Sequence, residues 1–343
     1  MTTETATGTA QNTAPLVKTT RRGAVVQFRN EDEFHQCWYP VALSAEVPVG
    51  GVIGSPFLDG RVVIYRTSDG VAHVQSPYCR HLGADLSLGK VVDDRLQCPF
   101  HFWRYDATGA CVEIPAGDRP PKAARLFVYP TAESLGIIWA FNGETPIHSV
   151  PHFDVDEKEL EVDAFRNPRL MAIDSSLVFL NGFDVQHFKV VHGMAMDGME
   201  ESKIQERDHT LRYQVKTTTP EFGDVVQDRT MWGVNTVVSQ NQSKTRKVYL
   251  MHSLCPVSQN TTQGFLIHAM LKSDVTGNAA DVEKTRAASR DYSLRLVNED
   301  GPIFDTISFR RDCLTPSDRL LGFGMQYITR YPRAHPGREM ILK

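Results

Sequence analysis

Residues 79–106 read Cys79-Arg-His81-Leu-Gly-Ala-Asp-Leu-Ser-Leu-Gly-Lys90, then Val-Val-Asp-Asp-Arg-Leu-Gln97, then Cys98-Pro-Phe-His101-Phe-Trp-Arg-Tyr-Asp106. Two ligand pairs stand in this stretch, Cys79 with His81 (C-x-H) and Cys98 with His101 (C-x-x-H), and sixteen residues (82–97) separate them. Two thiolates and two neutral imidazoles can hold one tetrahedral zinc, or a two-iron, two-sulfide cluster with both thiolates on one iron and both imidazoles on the other. A zinc ribbon more often pairs two C-x-x-C units. Here Gly83 and Pro99 shape the two loops so that backbone N–H groups can face sulfides. The iron–sulfur reading is preferred. Exchanging two thiolates for imidazoles raises the potential of such a cluster to about −150 to +300 mV, which suits a centre that accepts electrons and passes them on.

Working outward, residues 35–150 alternate short β-rich runs with turn signals. Arg61–Tyr65, Val71–Val74, Arg125–Tyr129 and Leu135–Phe141 are separated by Gly50-Gly51, Asp59-Gly60, Asp69-Gly70 and Gly109. This spacing predicts a small all-β unit. Residues 1–34 form a Thr-rich tail and lead-in, expected to be disordered. A Pro-flanked acidic run, Pro151 to Asp163, is expected to be a solvated linker at the domain junction. Residues 151–343 are expected to form an α+β domain, an antiparallel sheet with helices on one side. Its strands include Lys247–His252 and Gly264–Leu271. One helix is expected over Asp174–His192, capped by Asp174 or Ser175 and ended by Gly193, and a second over Asp281–Asp300.

The first of these helices carries a second candidate centre, Asp184-Val-Gln-His187-Phe-Lys-Val-Val-His192. At about 100° per residue, His187 lies about 60° to one side of Asp184 and His192 about 80° to the other. Two His and one carboxylate make the facial triad of non-haem Fe(II) oxygenases. Asp300 is the best third ligand, because it shares a helical face with Tyr292, Leu296 and Ile303, and an inward carboxylate is costly unless paired. Asp305 and Glu299 are rivals. Gly301-Pro302 is expected to interrupt the helix just after Asp300.

With both constellations in view, residues 35–335 resemble the oxygenase component of the Rieske non-haem iron oxygenases, most closely the 3-ketosteroid 9α-hydroxylase and aminopyrrolnitrin oxygenase group. The stretches that carry the resemblance are the two loops above, Asp184–His192, Cys255-Pro-Val-Ser-Gln259 and Glu299-Asp300-x-x-Ile303-Phe304. The resemblance implies a helix-grip catalytic domain and Asp300 as third iron ligand. It also implies that Asp184 is a bridge from the mononuclear iron to His101 of a neighbouring copy, in a ring-shaped homotrimer. Asp184 would orient His187 through its carboxylate. The cofactors implied are a [2Fe–2S] cluster bound by Cys79, His81, Cys98 and His101, and a mononuclear Fe(II) bound by His187, His192 and Asp300. O2 is the implied co-substrate, and NAD(P)H would act only through a separate flavin/[2Fe–2S] reductase or ferredoxin. The implied reaction is mono-oxygenation of a largely apolar polycyclic or aromatic small molecule, with demethylation or amine oxidation as variants. Phe102 departs from the Gly of many relatives, a change expected to touch only cluster packing.

The rest of the chain narrows the alternatives. The 343 residues carry 37 Lys+Arg against 41 Asp+Glu, so the net charge of −4 offers no basic footprint for nucleic acid. No apolar run approaches the roughly 20 residues of a membrane helix. No apolar leader precedes the tail, so a cytoplasmic location is expected. Gly50-Gly51 and Gly322-Phe-Gly324 do not make a dinucleotide fingerprint. Cys37, Cys111, Cys255 and Cys313 have no ligand spacing and are expected to be buried apolar residues. Pocket candidates are Phe222, Met231, Trp232, Met251, His252, His268, Met270 and Phe304. Arg61, Arg80, Lys90, Arg95, Arg104, Arg119 and Lys122 near the loops are candidates for docking an acidic ferredoxin. Two other classes stay open: an electron-transfer protein with a non-catalytic ligand-binding domain, and a zinc-dependent hydrolase or binding module.

Overall fold

A computed structural model of the chain describes residues 33–342 apart from 198, 220–222, 244–246, 259, 276–278 and 311. The expected tail therefore lies outside the described residues, except that Phe34 already pairs with Ala334 in a two-residue strand, β1 (Phe34–His35).

The first half is all β. Strands β2 (Trp38–Leu43), β3 (Val52–Phe57), β4 (Gly60–Arg66) and β5 (Ala72–Gln75) are followed by β6 (Lys90–Val92), β7 (Arg95–Gln97), β8 (Arg104–Tyr105) and β9 (Cys111–Glu113), then β10 (Val128–Tyr129), β11 (Thr131–Ser134) and β12 (Ile137–Phe141). They form three antiparallel sheets, ordered β10-β5-β4-β3, β11-β12-β2 and β6-β7-β8-β9. The third sheet carries both Cys/His loops over a small separate core of Val63, Tyr65, Leu86, Leu96, Tyr105, Ile114 and Leu126.

The acidic run is a linker only in its first part, because β13 (Leu160–Arg166) pairs along its whole length with a later strand. Helices α1 (Ser175–Asn181) and α2 (Val185–Val190) replace the single helix expected over Asp174–His192. The break has a local cause. Asp184 is extended, and its carboxylate accepts from the N–H groups of Gln186 (3.0 Å) and His187 (3.2 Å), so it starts a new helix rather than continuing the old one. Then come β14 (Ala195–Asp197), β15 (Gln205–Arg207), β16 (Thr210–Thr219), β17 (Gly223–Trp232), β18 (Thr236–Gln242), β19 (Lys247–Ser258) and β20 (Thr261–Leu271). With β13 they make one antiparallel sheet ordered β13-β20-β19-β18-β17-β16-β14, and β15 pairs off β16. Helix α3 (Ala279–Phe304) lies across this sheet, and α4 (Arg319–Arg330) packs against α1. Helix α3 runs through Gly301-Pro302 instead of stopping there. Proline removes one N–H near the helix end, and Asp305 N–H still bonds to the Gly301 carbonyl at 3.0 Å.

The α+β class expected from the sequence is the one the chain adopts. The halves are joined by a shared core that includes Trp38, Phe141, Met231, Phe265 and Tyr327. Asn235 Nδ2 donates to the Trp38 carbonyl at 2.9 Å, and Leu58 N–H to the Pro256 carbonyl at 2.9 Å. Cys37, Cys111 and Cys255 are buried as expected; Cys313 is exposed. Among the described residues, no helix is long and apolar enough to cross a membrane.

Candidate metal centres and the cavity beside them

Cys79 lies in the loop between β5 and β6, and Cys98 directly follows β7. Both thiols are buried, at 3% and 1% exposure. His81 and His101 face solvent. The thiols hydrogen-bond each other, and the imidazoles meet edge to face with ring centres 4.6 Å apart. Like donors are thus paired, sulfur inside and nitrogen outside. His81 also stacks flat on Trp103, 4.5 Å between centres. Tyr105 Oη accepts from Arg80 N–H at 3.0 Å and lies within hydrogen-bond reach of Cys79 Sγ at 3.2 Å. The bond from Cys79 and the backbone N–H groups of Phe100 and His101 hold the Cys98 thiol well below its ordinary pKa, whereas the shared bond and burial raise Cys79. A tetrahedral zinc needs its donors about 3.4–3.8 Å apart. No three of these four residues bring donor atoms within 4.8 Å of one another. Two like pairs with a gap between them fit a two-iron cluster instead.

The second set does converge. Among the described residues, His187, His192 and Asp300 are the one trio of His, Cys, Asp or Glu whose donor atoms all lie within 4.8 Å. His187 Nδ1–H donates to the Asp184 carbonyl at 2.6 Å, and His192 Nδ1–H to Glu299 Oε2 at 2.7 Å. A carbonyl and a carboxylate can only accept, so both rings carry their proton on Nδ1 and turn the Nε2 lone pair toward Asp300. His192 Nε2 is 3.4 Å from Asp300 Oδ1. Asn181 Nδ2 donates to Asp300 Oδ2 at 3.1 Å and lies 3.1 Å from His187 Nε2. Burial lowers the pKa of His187. Burial also works against a charge on His192, but Asp300 and Glu299 outweigh it and raise that ring. Of the rivals for third ligand, Glu299 stands behind His192, and Asp305 is ion-paired to Arg169. The contact that orients the His187 ring comes from the Asp184 carbonyl, not its carboxylate, whose Oδ1 caps the N-terminus of α2.

Residues 37–130 match the Rieske [2Fe–2S] domain family. The chain carries a Rieske [2Fe–2S] domain. It is similar to aminopyrrolnitrin oxygenase of Pseudomonas fluorescens, 34% identical over 149 residues that cover 40% of this chain and 40% of that protein. It is also similar to cholesterol 7-desaturase of Bombyx mori, 32% identical over 165 residues, 46% of this chain and 36% of that protein. The matched stretches thus span well under half the length of these curated relatives. Over 87% of this chain the fold resembles dicamba monooxygenase, with a TM-score of 0.69 at 20% identity and 97% of that chain covered.

Phe102, beside the Rieske loops, has φ +59°. The departure at this position is therefore one of backbone, since a left-handed turn is where glycine is cheapest. Of the seven basic residues near the Rieske loops, Arg61 is paired with Asp85, and Arg95 and Arg104 with Glu113. Arg80, Lys90, Arg119 and Lys122 remain exposed.

The histidine–carboxylate trio opens onto a cavity of about 1060 Å³. Its floor is one face of the sheet, including Val237, Leu250, His252 and Leu266, and its roof is the α3 face of Ala288, Tyr292, Leu296, Asp300 and Phe304. Of the expected lining residues, His252, Met270 and Phe304 are present. Met251 is not, because neighbours in a strand face opposite ways and its side chain enters the core at 0% exposure. Met231 is covered by α1 at Gly182. Trp232 packs at a tilt against His152, ring centres 4.8 Å apart, and does not line the cavity. His268 is screened by Ser289 and Ser293 of α3, each bonded to its ring at 3.0 Å. Phe222 lies outside the described residues. Asn181, Tyr105 and Arg229 were not anticipated as part of either centre or the cavity. Asn181 had one signal, its place three residues before Asp184 and six before His187 on an expected helix.

Proposed function

We propose that the chain is the terminal oxygenase of a multicomponent Rieske system that oxidises a largely apolar aromatic, heteroaromatic or polycyclic small molecule. The observation that carries this reading is the convergence of His187, His192 and Asp300 on the wall of a largely apolar cavity. Those three residues would hold a mononuclear Fe(II), and Cys79, His81, Cys98 and His101 a [2Fe–2S] cluster. When bound, the iron supplies O2 activation, with electrons delivered through the cluster from a separate reductase or ferredoxin.

The chain's own contribution is positioning. The Asp184 carbonyl and Glu299 fix the two rings in the tautomer that leaves Nε2 free. Asn181 steers the Asp300 carboxylate by its bond to Oδ2, leaving Oδ1 toward His192. Phe179, Leu250, Leu266, Leu296 and Phe304 line the cavity and exclude bulk water. Exposed His101 would place a cluster at the surface, where in a homotrimer it could face Asp184 of a neighbouring copy.

The test is substrate-dependent O2 uptake by the purified chain with a generic reductase, over polycyclic, N-methylated and heteroaromatic compounds. About three iron atoms per chain are expected, two in the cluster and one at the trio. Asp184→Asn preserves the helix cap and both metals but loses nearly all coupled product. Zinc in place of iron, a colourless protein, or unchanged coupled turnover in Asp184→Asn would overturn the corresponding part of the reading.

A further inference from the structure

The cavity floor holds a cation to which, among the described residues, no carboxylate is paired. Arg229 projects from β17 into the cavity between Gln227 of its own strand and Ser239 of β18, its register partner. Its Nε is buried without a hydrogen-bond acceptor. Among the described residues no carboxylate is ion-paired with it, although most other arginines of the sheet and of α3 are paired: Arg286 with Glu161, Arg290 with Asp163, Arg212 with Asp154. Its guanidinium carbon lies 5.5 Å from the centre of the Phe188 ring, and that ring is 4.1 Å from the His187 ring. The cation therefore stands one aromatic ring away from the metal trio. Two further polar atoms on the same floor are buried and unbonded, Gln227 Oε1 and His252 Nε2. Arg229 is close enough to act on His252, which burial foremost, then His268 and Arg229, hold neutral.

A guanidinium in an apolar cavity is costly unless paired, and its planar fork matches a carboxylate in two parallel hydrogen bonds. The cavity's own acids do not meet this need: Asp300 belongs to the trio, and Asp224 accepts from Thr218 Oγ1 at 2.8 Å. We infer that Arg229 is a specificity-determining residue that anchors the carboxylate of an aromatic acid, with the ring system lying over the apolar floor toward His187. Neutral His252 borders the same subsite. This rests on the cavity being the substrate site of the proposed oxygenase, and it narrows that reading from apolar aromatics to aromatic acids whose reacting carbon lies about one ring from the acid group.

The test is binding rather than turnover, so that it does not depend on the oxygenase chemistry. Quenching of tryptophan fluorescence or calorimetry on the full chain, as purified with its cluster, compares 1- and 2-naphthoate with the corresponding naphthamides. The expected result is that an acid binds at least about tenfold more tightly than its amide. This ratio should fall to near unity in Arg229→Gln and be partly kept in Arg229→Lys, while the visible spectrum of the cluster stays unchanged. Equal binding of acid and amide to the unmodified protein, no measurable binding of either acid, or an unchanged ratio in Arg229→Gln would overturn the assignment. Should Arg229→Gln fail to fold, the acid-to-amide ratio of the unmodified protein and of Arg229→Lys decides. An intact ratio in a protein that lacks iron at the trio would sink the oxygenase reading and leave this subsite standing. Robust O2 uptake with neutral aromatics and no acid preference would do the reverse.

Discussion

The Rieske loops and the histidine–carboxylate trio gather metal ligands by opposite means. In the loops all four ligands fall within 23 consecutive residues, the thiols are sealed in a small core, and the imidazoles are left in solvent. In the trio His187 comes from a short helix, His192 from the bend just beyond it, and Asp300 from a helix more than a hundred residues later. That centre faces inward, onto a cavity. On the proposed reading, the contrast is that of an electron port, which a partner must reach, with a reaction chamber walled by apolar side chains. It also predicts different responses to damage. A fault in the loops should cost local structure as well as cofactor, whereas a fault in the trio should be silent for the fold.

The largest effect should follow from Cys98→Ser. Loss of a buried ligand whose thiol is held by Cys79 and two backbone N–H groups should abolish the cluster's visible absorbance and about two of the three irons per chain, with lowered thermal stability. Asp300→Ala should instead keep the cluster spectrum and the melting temperature, remove the third iron, and lower coupled turnover by on the order of 10³-fold, read by metal analysis and O2 uptake. If both substitutions bleach the protein equally, the two centres are not independent in the way described. Glu299→Gln comes next. It weakens the acceptor for His192 Nδ1–H without touching the ligand atom, so iron affinity at the trio should fall about 10- to 100-fold in a chelator competition.

The smallest effect concerns pH. Burial holds His252 and His268 down to about 4, against an ordinary value near 6.5. Between those limits the unfolded chain takes up protons that the folded chain refuses. The stability these neutral rings contribute is therefore complete above about pH 6.5 and is lost as pH falls toward 4, by up to roughly 3 kcal/mol per histidine. Urea midpoints measured from pH 7.5 to 5 should decline, and His252→Phe should flatten the curve. His35, which burial holds down to about 3, adds a further share from the first half of the chain.

How much of this could be read from the chain depended on sequence distance. Cys79, His81, Cys98 and His101 announce themselves because a loop motif is local: spacing, Gly83 and Pro99 are all in one window. His187 and His192 were legible as a pair for the same reason. Asp300 was reached through helical periodicity, an argument about one face that holds only if α3 lies over the sheet, as it does. The break between α1 and α2 was missed because the reading weighed Asp184 as a metal-site residue and not as a cap. Trp232 and Met251 were misassigned because hydrophobicity says that a side chain is buried but not on which face of a strand, whereas Met231 shares the face of Arg229 and is covered at Gly182.

The sequence by itself determined the donor types, their spacing as one C-x-H and one C-x-x-H pair, and the α+β class, since these follow from local spacing and periodicity. Only the tertiary structure decided that Glu299 stands behind His192, that Asn181 reaches Asp300, and that Arg229 enters the cavity with its Nε unbonded. Those facts depend on sheet register and on how a helix is laid across it. Both are fixed by packing between segments far apart in the chain, and no window of residues contains that information.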